Sequence, residues 1–361
     1  MSSAKVQETD RDRSKTGRLF TESLLRWNLG SNKRKMPWKG ETDPYRIWLS
    51  EIILQQTRVE QGLKYYENFT RTFPDIHALA NAPEEAVFKA WEGLGYYSRC
   101  RNLVAAARFI SANLDGIFPS SYEDILELKG VGPYTAAAIA SFAYNLPHAV
   151  LDGNVFRVLS RIFNIETPID TSPGKIEFTK LARQILPPGK AGIYNQAIMD
   201  FGATICKPVP ECMNCFFRAN CKAFKLGNQN VLPVKSKKLI IKKRWLNYFI
   251  IQFGDEIAVR QRTLKDIWQQ LYEYVLVETD RPHQEDELMM FFEKEFGITD
   301  YQLVSTIVKN QKLTHQSIQF SFYKIIVDAR HDIPGYSWVK KKHLSGYAFP
   351  KTLQQFANVN A

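Results

Sequence analysis

The chain is short of cysteine, of long apolar runs and of any excess of negative charge. Five cysteines in 361 residues exclude a disulfide framework, the more so because four of them crowd into Cys206–Cys221. No stretch reaches the roughly eighteen apolar residues that suggest a membrane span. Met1–Lys15 is polar, carries both charge signs and has no apolar signal-peptide core. Internal repeats and low-complexity tracts are missing as well. Reduced cysteines without an export segment lead to the expectation of a cytosolic or nuclear protein with no membrane partner.

What is present begins with charge. Lysine and arginine outnumber acids 48 to 37, for a net charge of +11 and a pI near 9.3, so a polyanion is the first partner to consider. With 45% hydrophobic and 13% aromatic residues, the chain can fill more than one core. Residues from about Leu19 to Cys221 carry helical periodicity in Tyr45–Phe69, Glu84–Trp91, Asn102–Asn113, Tyr134–Tyr144 and Val155–Phe163. Beyond Trp245 the pattern turns to strands, at Tyr248–Phe253, Ile257–Arg260, Tyr274–Glu278 and Ile318–Val327, with a helix at Glu285–Phe296. The division predicted is an all-α domain over residues 16–226, a Lys-rich linker over 227–244 and an α+β domain over 245–361.

The cysteine loop and two carboxylates hold the chemistry. Cys206, Cys212, Cys215 and Cys221 place one C-x2-C pair between two isolated cysteines. Structural zinc usually takes two separated pairs, so this spacing favours a [4Fe–4S] cluster, with zinc the alternative. Glu51 interrupts the apolar run Trp48–Leu54; it is either a solvated helix acid or a buried one whose raised pKa keeps a proton available. Asp152, ahead of Gly153, is a favoured N-cap for the helix that follows. In Leu128–Ala136, Gly130 and Gly132 allow a tight turn whose exposed amides, at a helix N-terminus, suit a phosphate.

Together Gly130–Ala136, Leu151–Val155 and the cysteine loop resemble the helix–hairpin–helix DNA glycosylases of the endonuclease III superfamily. Met36–Trp38, Asp43–Glu51, Leu54–Thr57, Gly93–Arg99 and Asn195–Ala203 resemble, within it, the adenine DNA glycosylases. The likeness spans nearly the whole chain, more closely up to Cys221 than after Trp245.

That resemblance implies a bacterial, nucleoid-associated monomer acting on double-stranded DNA that holds adenine opposite 8-oxoguanine or guanine. Glu51 would protonate the base, Asp152 would stabilise the sugar cation, and Asn154 would stand beside them. Tyr134 occupies the position where bifunctional relatives carry a Schiff-base lysine, so base removal without efficient strand cleavage is expected. Gln56 and Tyr96 would fill the gap left by the flipped base, while Arg99, Gly130 and Gly132 would meet the phosphates. Arg34, Trp38, Leu54 and Gln196 would line the adenine pocket. One [4Fe–4S] cluster would sit on the four cysteines, although the first interval holds five residues where the family has six. After Trp245 the chain resembles a Nudix-like domain lacking the acidic hydrolase signature. There Leu313, Thr314 and His315 fall on the loop that reads 8-oxoguanine, with leucine in place of an aromatic. Two rival readings are a bifunctional pyrimidine-lesion glycosylase and lyase, and a non-catalytic DNA-binding protein with a structural metal.

Overall fold

The computed structural model describes residues 10–236, 241–313 and 315–357; Thr314 lies outside the described residues. These fall into two compact units. Residues up to Asn81 join those from Asn102 to the end of the helical part, whereas Ala82–Arg101 group with the strand-rich part.

The first unit is helical from Asp10–Gly30 to Lys222–Leu226, and the sequence's own punctuation sets the boundaries. Asp43 caps Pro44–Leu54 through the Tyr45 amide, Ser121 caps Tyr122–Glu127 and Thr171 caps Ser172–Ile185. Asn145 and Asn164, both left-handed, end Pro133–Tyr144 and Gly153–Phe163. The Tyr45–Phe69 run, expected to read continuously as helix, is divided into Pro44–Leu54 and Val59–Thr72. The break falls at Gln56, whose φ is 56°. Phe20 meets Phe217 edge-on and Phe201 at a tilt in a core that also takes in Val158, Leu159 and Ile162.

Asn195 fixes the segment that leads into Asp152. Fully buried, it accepts from the Val150 amide at 3.2 Å and donates to Ser141 Oγ at 2.9 Å and the His148 carbonyl at 2.8 Å. One side chain thus satisfies the polar backbone of an irregular stretch that could not otherwise be buried.

In the second unit, β1 (Lys242–Phe253), β2 (Glu256–Gln261), β3 (Tyr272–Glu273), β4 (Val275–Thr279), β5 (Gln302–Lys312), β6 (Gln316–Ile326) and β7 (Ser337–Lys340) form one mixed sheet. β1 runs parallel to β6 and antiparallel to β2 and β4, and β5 forms the edge beyond β6. Side chains alternate between two cores. Leu246, Tyr248, Ile250, Phe320 and Phe322 face one side; Phe249, Ile251, Tyr323 and Ile325 face the other, with Phe292 of the helix Glu285–Phe296.

Two expectations change. The segment expected as a linker to residue 244 is structured at both ends: Leu232 is buried, Ser236 bonds Asp170, and Lys242–Arg244 already belong to β1. β5 was absent from the sequence reading because all but one of its residues are exposed, which leaves no alternation to detect.

Replacing Asn195 by alanine leaves the Val150 amide and His148 carbonyl without a partner. The expected loss is on the order of 2–3 kcal/mol, measurable as a shift of the urea transition of the full chain. An unmoved transition would show the amide to be dispensable.

Candidate active site

Glu51 lies on the helix Pro44–Leu54, flanked by Leu49, Ile52 and Ile53, and is 8% exposed. Burial pushes its carboxyl from an ordinary 4.5 up to about 7; the Tyr134 hydrogen bond opposes this and the charge of Asp152 adds to it. Tyr134 has one proton and two acceptors, Glu51 and the Met199 sulfur 3.4 Å away. An ionised carboxylate is the stronger acceptor. Burial, reinforced by the two neighbouring acids, raises the phenol well above its usual range, so it stays a donor.

Asp152 is the N-cap of Gly153–Phe163. Its Oδ1 accepts from the Val155 amide and its Oδ2 from Asn154 Nδ2, both at 2.7 Å, so each oxygen acts as a carboxylate acceptor. Asn154 Oδ1 accepts in turn from Arg157 Nη2 at 2.8 Å. Arg157 also donates to the carbonyls of Gly202 and Cys206 at 2.8 Å, and thereby ties the carboxylate to the cysteine loop. One helical turn on, Arg161 reaches the carbonyls of Lys207, Pro208 and Leu232 and lies 3.5 Å from Cys206 Sγ.

Cys206, Cys212, Cys215 and Cys221 line one cavity with Arg161, Phe201 and Phe224. Among the described residues no three His, Cys, Asp or Glu side chains are gathered closely enough for a single metal ion. Burial raises the thiol of Cys212 and pushes those of Cys215 and Cys221 up to about 11. Thiols in such a place carry thiolate charge when a metal's positive charge balances it. The donor set and the neighbouring guanidinium therefore fit a thiolate-bound iron–sulfur group.

Arg34 and Gln196 meet on Asp200. That fully buried carboxylate takes Arg34 Nη1 at 2.9 Å and Gln196 Nε2 at 3.0 Å on Oδ1, and Asn32 Nδ2 at 2.8 Å and Lys39 Nζ at 2.9 Å on Oδ2. Trp38 packs edgewise on Tyr66, and Leu54 lies over Gly62. Gly130 has φ 82° and abuts Asn102, where a Cβ would come within 2.6 Å of the Asn102 Cβ. Gly132 caps Pro133–Tyr144 with open space around it.

The second unit holds the remaining residues. Tyr96, at φ 49°, is 45% exposed on the turn after Gly95. Arg99 departs from expectation. It is buried between the rings of Trp91 and Tyr96, with its carbon 5.3 and 5.4 Å from their centroids, and its Nη2 donates to the Gly95 carbonyl. A guanidinium so enclosed stiffens the turn under Tyr96 and is not held out to a phosphate. Leu313 and His315 line a cleft with Asp266 and Trp268.

Residues 49–188 match the HhH-GPD superfamily base excision DNA repair protein family, and 247–358 match the NUDIX domain. An adenine DNA glycosylase of Buchnera aphidicola subsp. Baizongia pistaciae (strain Bp) is 37% identical over 257 residues, 70% of this chain and 72% of that protein. The chain belongs to the adenine DNA glycosylase family. A second member, from Buchnera aphidicola subsp. Schizaphis graminum (strain Sg), is 34% identical over 70% of this chain and 74% of its own length. A solved structure, a thermostable thymine-DNA glycosylase, is 28% identical with a TM-score of 0.55 over 59% of this chain and 98% of that one.

In this adenine DNA glycosylase family member, Asp200, Lys39, Arg157 and Arg161 are the site residues that sequence reasoning left unassigned. Asp200 carried a signal, being the one charged residue of the helix Ala191–Thr204 and one turn after Gln196. Arg157 and Arg161 are also one turn apart, on the helix that Asp152 caps. Among the described residues no helix is long and apolar enough to cross a membrane.

Because Glu51 titrates higher folded than unfolded, the folded state loses stability as pH rises from 4.5 through about 7. At about 1.4 kcal/mol per unit this amounts to about 3 kcal/mol. Glu51→Gln is therefore expected to match the wild type at pH 4.5 and to be more stable than it at pH 8. Denaturation at the two values checks this, and parallel curves would show that Glu51 is ionised without cost.

Proposed function

We propose that the chain is a monofunctional glycosylase that excises adenine mispaired with 8-oxoguanine or guanine in double-stranded DNA. The observation that carries this reading is the Glu51–Asp152 pair, one carboxyl raised by burial to about 7 and the other accepting hydrogen bonds on both oxygens. Breaking an N-glycosidic bond to adenine needs a proton on the base and an anion near the sugar as positive charge develops. Two carboxyls in unlike environments divide that work.

The adenine must first leave the stack. Gln56 and Tyr96, each exposed and each at positive φ, are proposed to occupy the space it vacates, and the Gly130–Gly132 turn to receive a phosphate. Arg34, Trp38, Leu54 and Gln196 line the proposed adenine pocket. Glu51 gives its proton to the base, with Tyr134 holding the carboxyl in place. Asp152, kept in position by Asn154, stabilises the sugar cation until water adds to it. Tyrosine has no amine to form an imine with the sugar, so the backbone stays intact.

Cys206, Cys212, Cys215 and Cys221 are proposed to hold one [4Fe–4S] cluster. A cubane takes one thiolate at each iron, so its ligands surround a volume, as these four do. When bound it supplies structural order to the loop. The division of labour proposed assigns excision to the helical part and reading of the opposite base to the strand-rich part that begins with β1, through Leu313, Thr314 and His315.

A duplex with one A·8-oxoguanine pair, labelled on the adenine strand, tests the whole reading. Strand breakage is expected only after hot alkali, and Glu51→Gln or Asp152→Asn should lower excision by about a hundredfold or more while binding persists. Breakage without alkali would reveal a lyase; tight binding with no breakage under either condition would reveal a recognition protein. The purified chain should also be brown, and Cys215→Ser should lose the colour; a colourless chain with bound zinc would overturn the cluster assignment.

A further inference from the structure

The cleft that holds Leu313 and His315 encloses about 530 Å³; Asp266–Trp268 forms one of its walls and Leu313, His315 and Gln316 another, and residues from Gly93 to Arg101 with Lys351 and Thr352 line the rest. The second wall is held by strand pairing, with Gln316 beside Lys242 and the Leu313 amide on the Gln316 carbonyl, whereas Asp266–Trp268 belongs to no strand or helix. The first is also costly in backbone conformation, since Trp268 and Gln270 adopt φ of 61° and 71°. A side chain outside the lining joins the two.

Arg244, near the start of β1, is 6% exposed and uses all five of its N–H donors. Nε and Nη2 donate to the two oxygens of Glu278 at 2.7 and 2.8 Å. Nη1 and Nη2 donate to the two oxygens of Asp266 at 2.9 and 2.7 Å, and the remaining Nη1 proton faces Gln316 Oε1 at 3.3 Å. One planar group therefore grips both walls at once. Arg262 reinforces the first wall, donating to Asp266 at 3.0 Å and to the Ile267 carbonyl at 3.1 Å. Charge balances across the network, with Arg244, Arg260 and Arg262 against Asp266, Glu273 and Glu278.

We propose that Arg244 is a positioning residue for reading the base opposite adenine, fixing the spacing between the Asp266–Trp268 wall and Gln316. This rests on the proposal that the cleft takes that base. Guanine and 8-oxoguanine differ by one oxygen and one proton, so telling them apart requires donors and acceptors held within a fraction of an ångström. A lysine, with a single ammonium in place of the fork, cannot span two carboxylates and an amide in one plane.

The experiment compares single-turnover excision by the full chain on A·8-oxoguanine and A·G duplexes, alongside its thermal unfolding. Arg244→Lys is expected to slow excision opposite 8-oxoguanine more than opposite guanine, cutting the wild-type ratio of rates about tenfold. The double variant Arg244→Met with Glu278→Gln removes one charge of each sign and leaves Asp266 paired with Arg262, so it tests the same point without an orphaned buried ion. A wild-type ratio in both folded variants would overturn the proposal, as would rates on the two duplexes falling together with the melting transition. Equal rates on both duplexes in the wild type would overturn the reading of the cleft itself, and the proposal with it.

Discussion

A carboxyl whose pKa burial raises to about 7 is the feature on which the proposed chemistry of the helical unit depends. An isolated glutamic acid would be ionised at neutral pH, so the proton-donor role proposed for Glu51 requires that it be taken out of water. The helix Pro44–Leu54 does this by burying nearly every residue it has, the acid included. Asp152, by contrast, is only half-buried. Asp152 keeps its acceptor character because it stands at a helix N-terminus, where the Val155 amide and the Asn154 amide group supply the hydrogen bonds that water would otherwise provide. The difference between the two carboxyls is thus a difference between helix interior and helix end. Asn195 helps set the register by anchoring the segment just before the cap.

Backbone strain sorts the remaining candidates. Among the described residues, seven that are not glycine have positive φ: Gln56, Tyr96, Asp115, Asn145, Asn164, Trp268 and Gln270. Asp and Asn enter the left-handed region at little cost, and Asn145 and Asn164 do so as ordinary helix C-caps. Gln, Tyr and Trp do not, and each such position costs of the order of 1–3 kcal/mol unless its surroundings impose it. Two of these four, Gln56 and Tyr96, are the proposed gap-filling residues, and Trp268 lines the proposed reading cleft. Around Tyr96 the imposing contacts are visible: Trp91 Nε1 donates to the Gly95 carbonyl at 3.0 Å, and Arg99 is clasped between the Trp91 and Tyr96 rings. A turn fixed in this way presents its aromatic ring without having to order it on contact.

Much of this was legible in the residues themselves. The helix start at Asp152 followed from its character as an N-cap, and the fold class followed from the change of periodicity near Trp245. What escaped reading had specific causes. The break at Gln56 is invisible because apolar spacing continues across it, and β5 because exposure on both faces erases alternation. Arg99 looked like a surface cation, since sequence shows its charge and not the two rings that enclose it. Arg157, Arg161 and Arg244 were missed for a related reason. Arginine in a basic chain reads as affinity for a polyanion, and only packing distinguishes the guanidinium that meets solvent from the one that meets carbonyls.

That distinction matters for how the net charge of +11 is understood. Several of the cations behind it are spent inside the protein. Arg34 and Lys39 share Asp200, Arg157 and Arg161 hold the cysteine loop by its carbonyls, and Arg244 and Arg262 brace the cleft. Buried ion pairs add little net stability, because desolvation offsets their attraction. Their recurrence at irregular segments points to another use. A guanidinium with every donor engaged tolerates no sliding of the backbone it grips, whereas apolar packing permits small shifts at low cost. Each braced segment here carries a group to which a role is proposed: Arg34 and Gln196 of the proposed pocket, the carboxylate Asp152 with Asn154, and the walls beside His315. Electrostatics in this chain therefore serves precision at the site as well as attraction to DNA, and the two contributions separate experimentally, since salt screens an exposed cation and leaves a buried one nearly untouched.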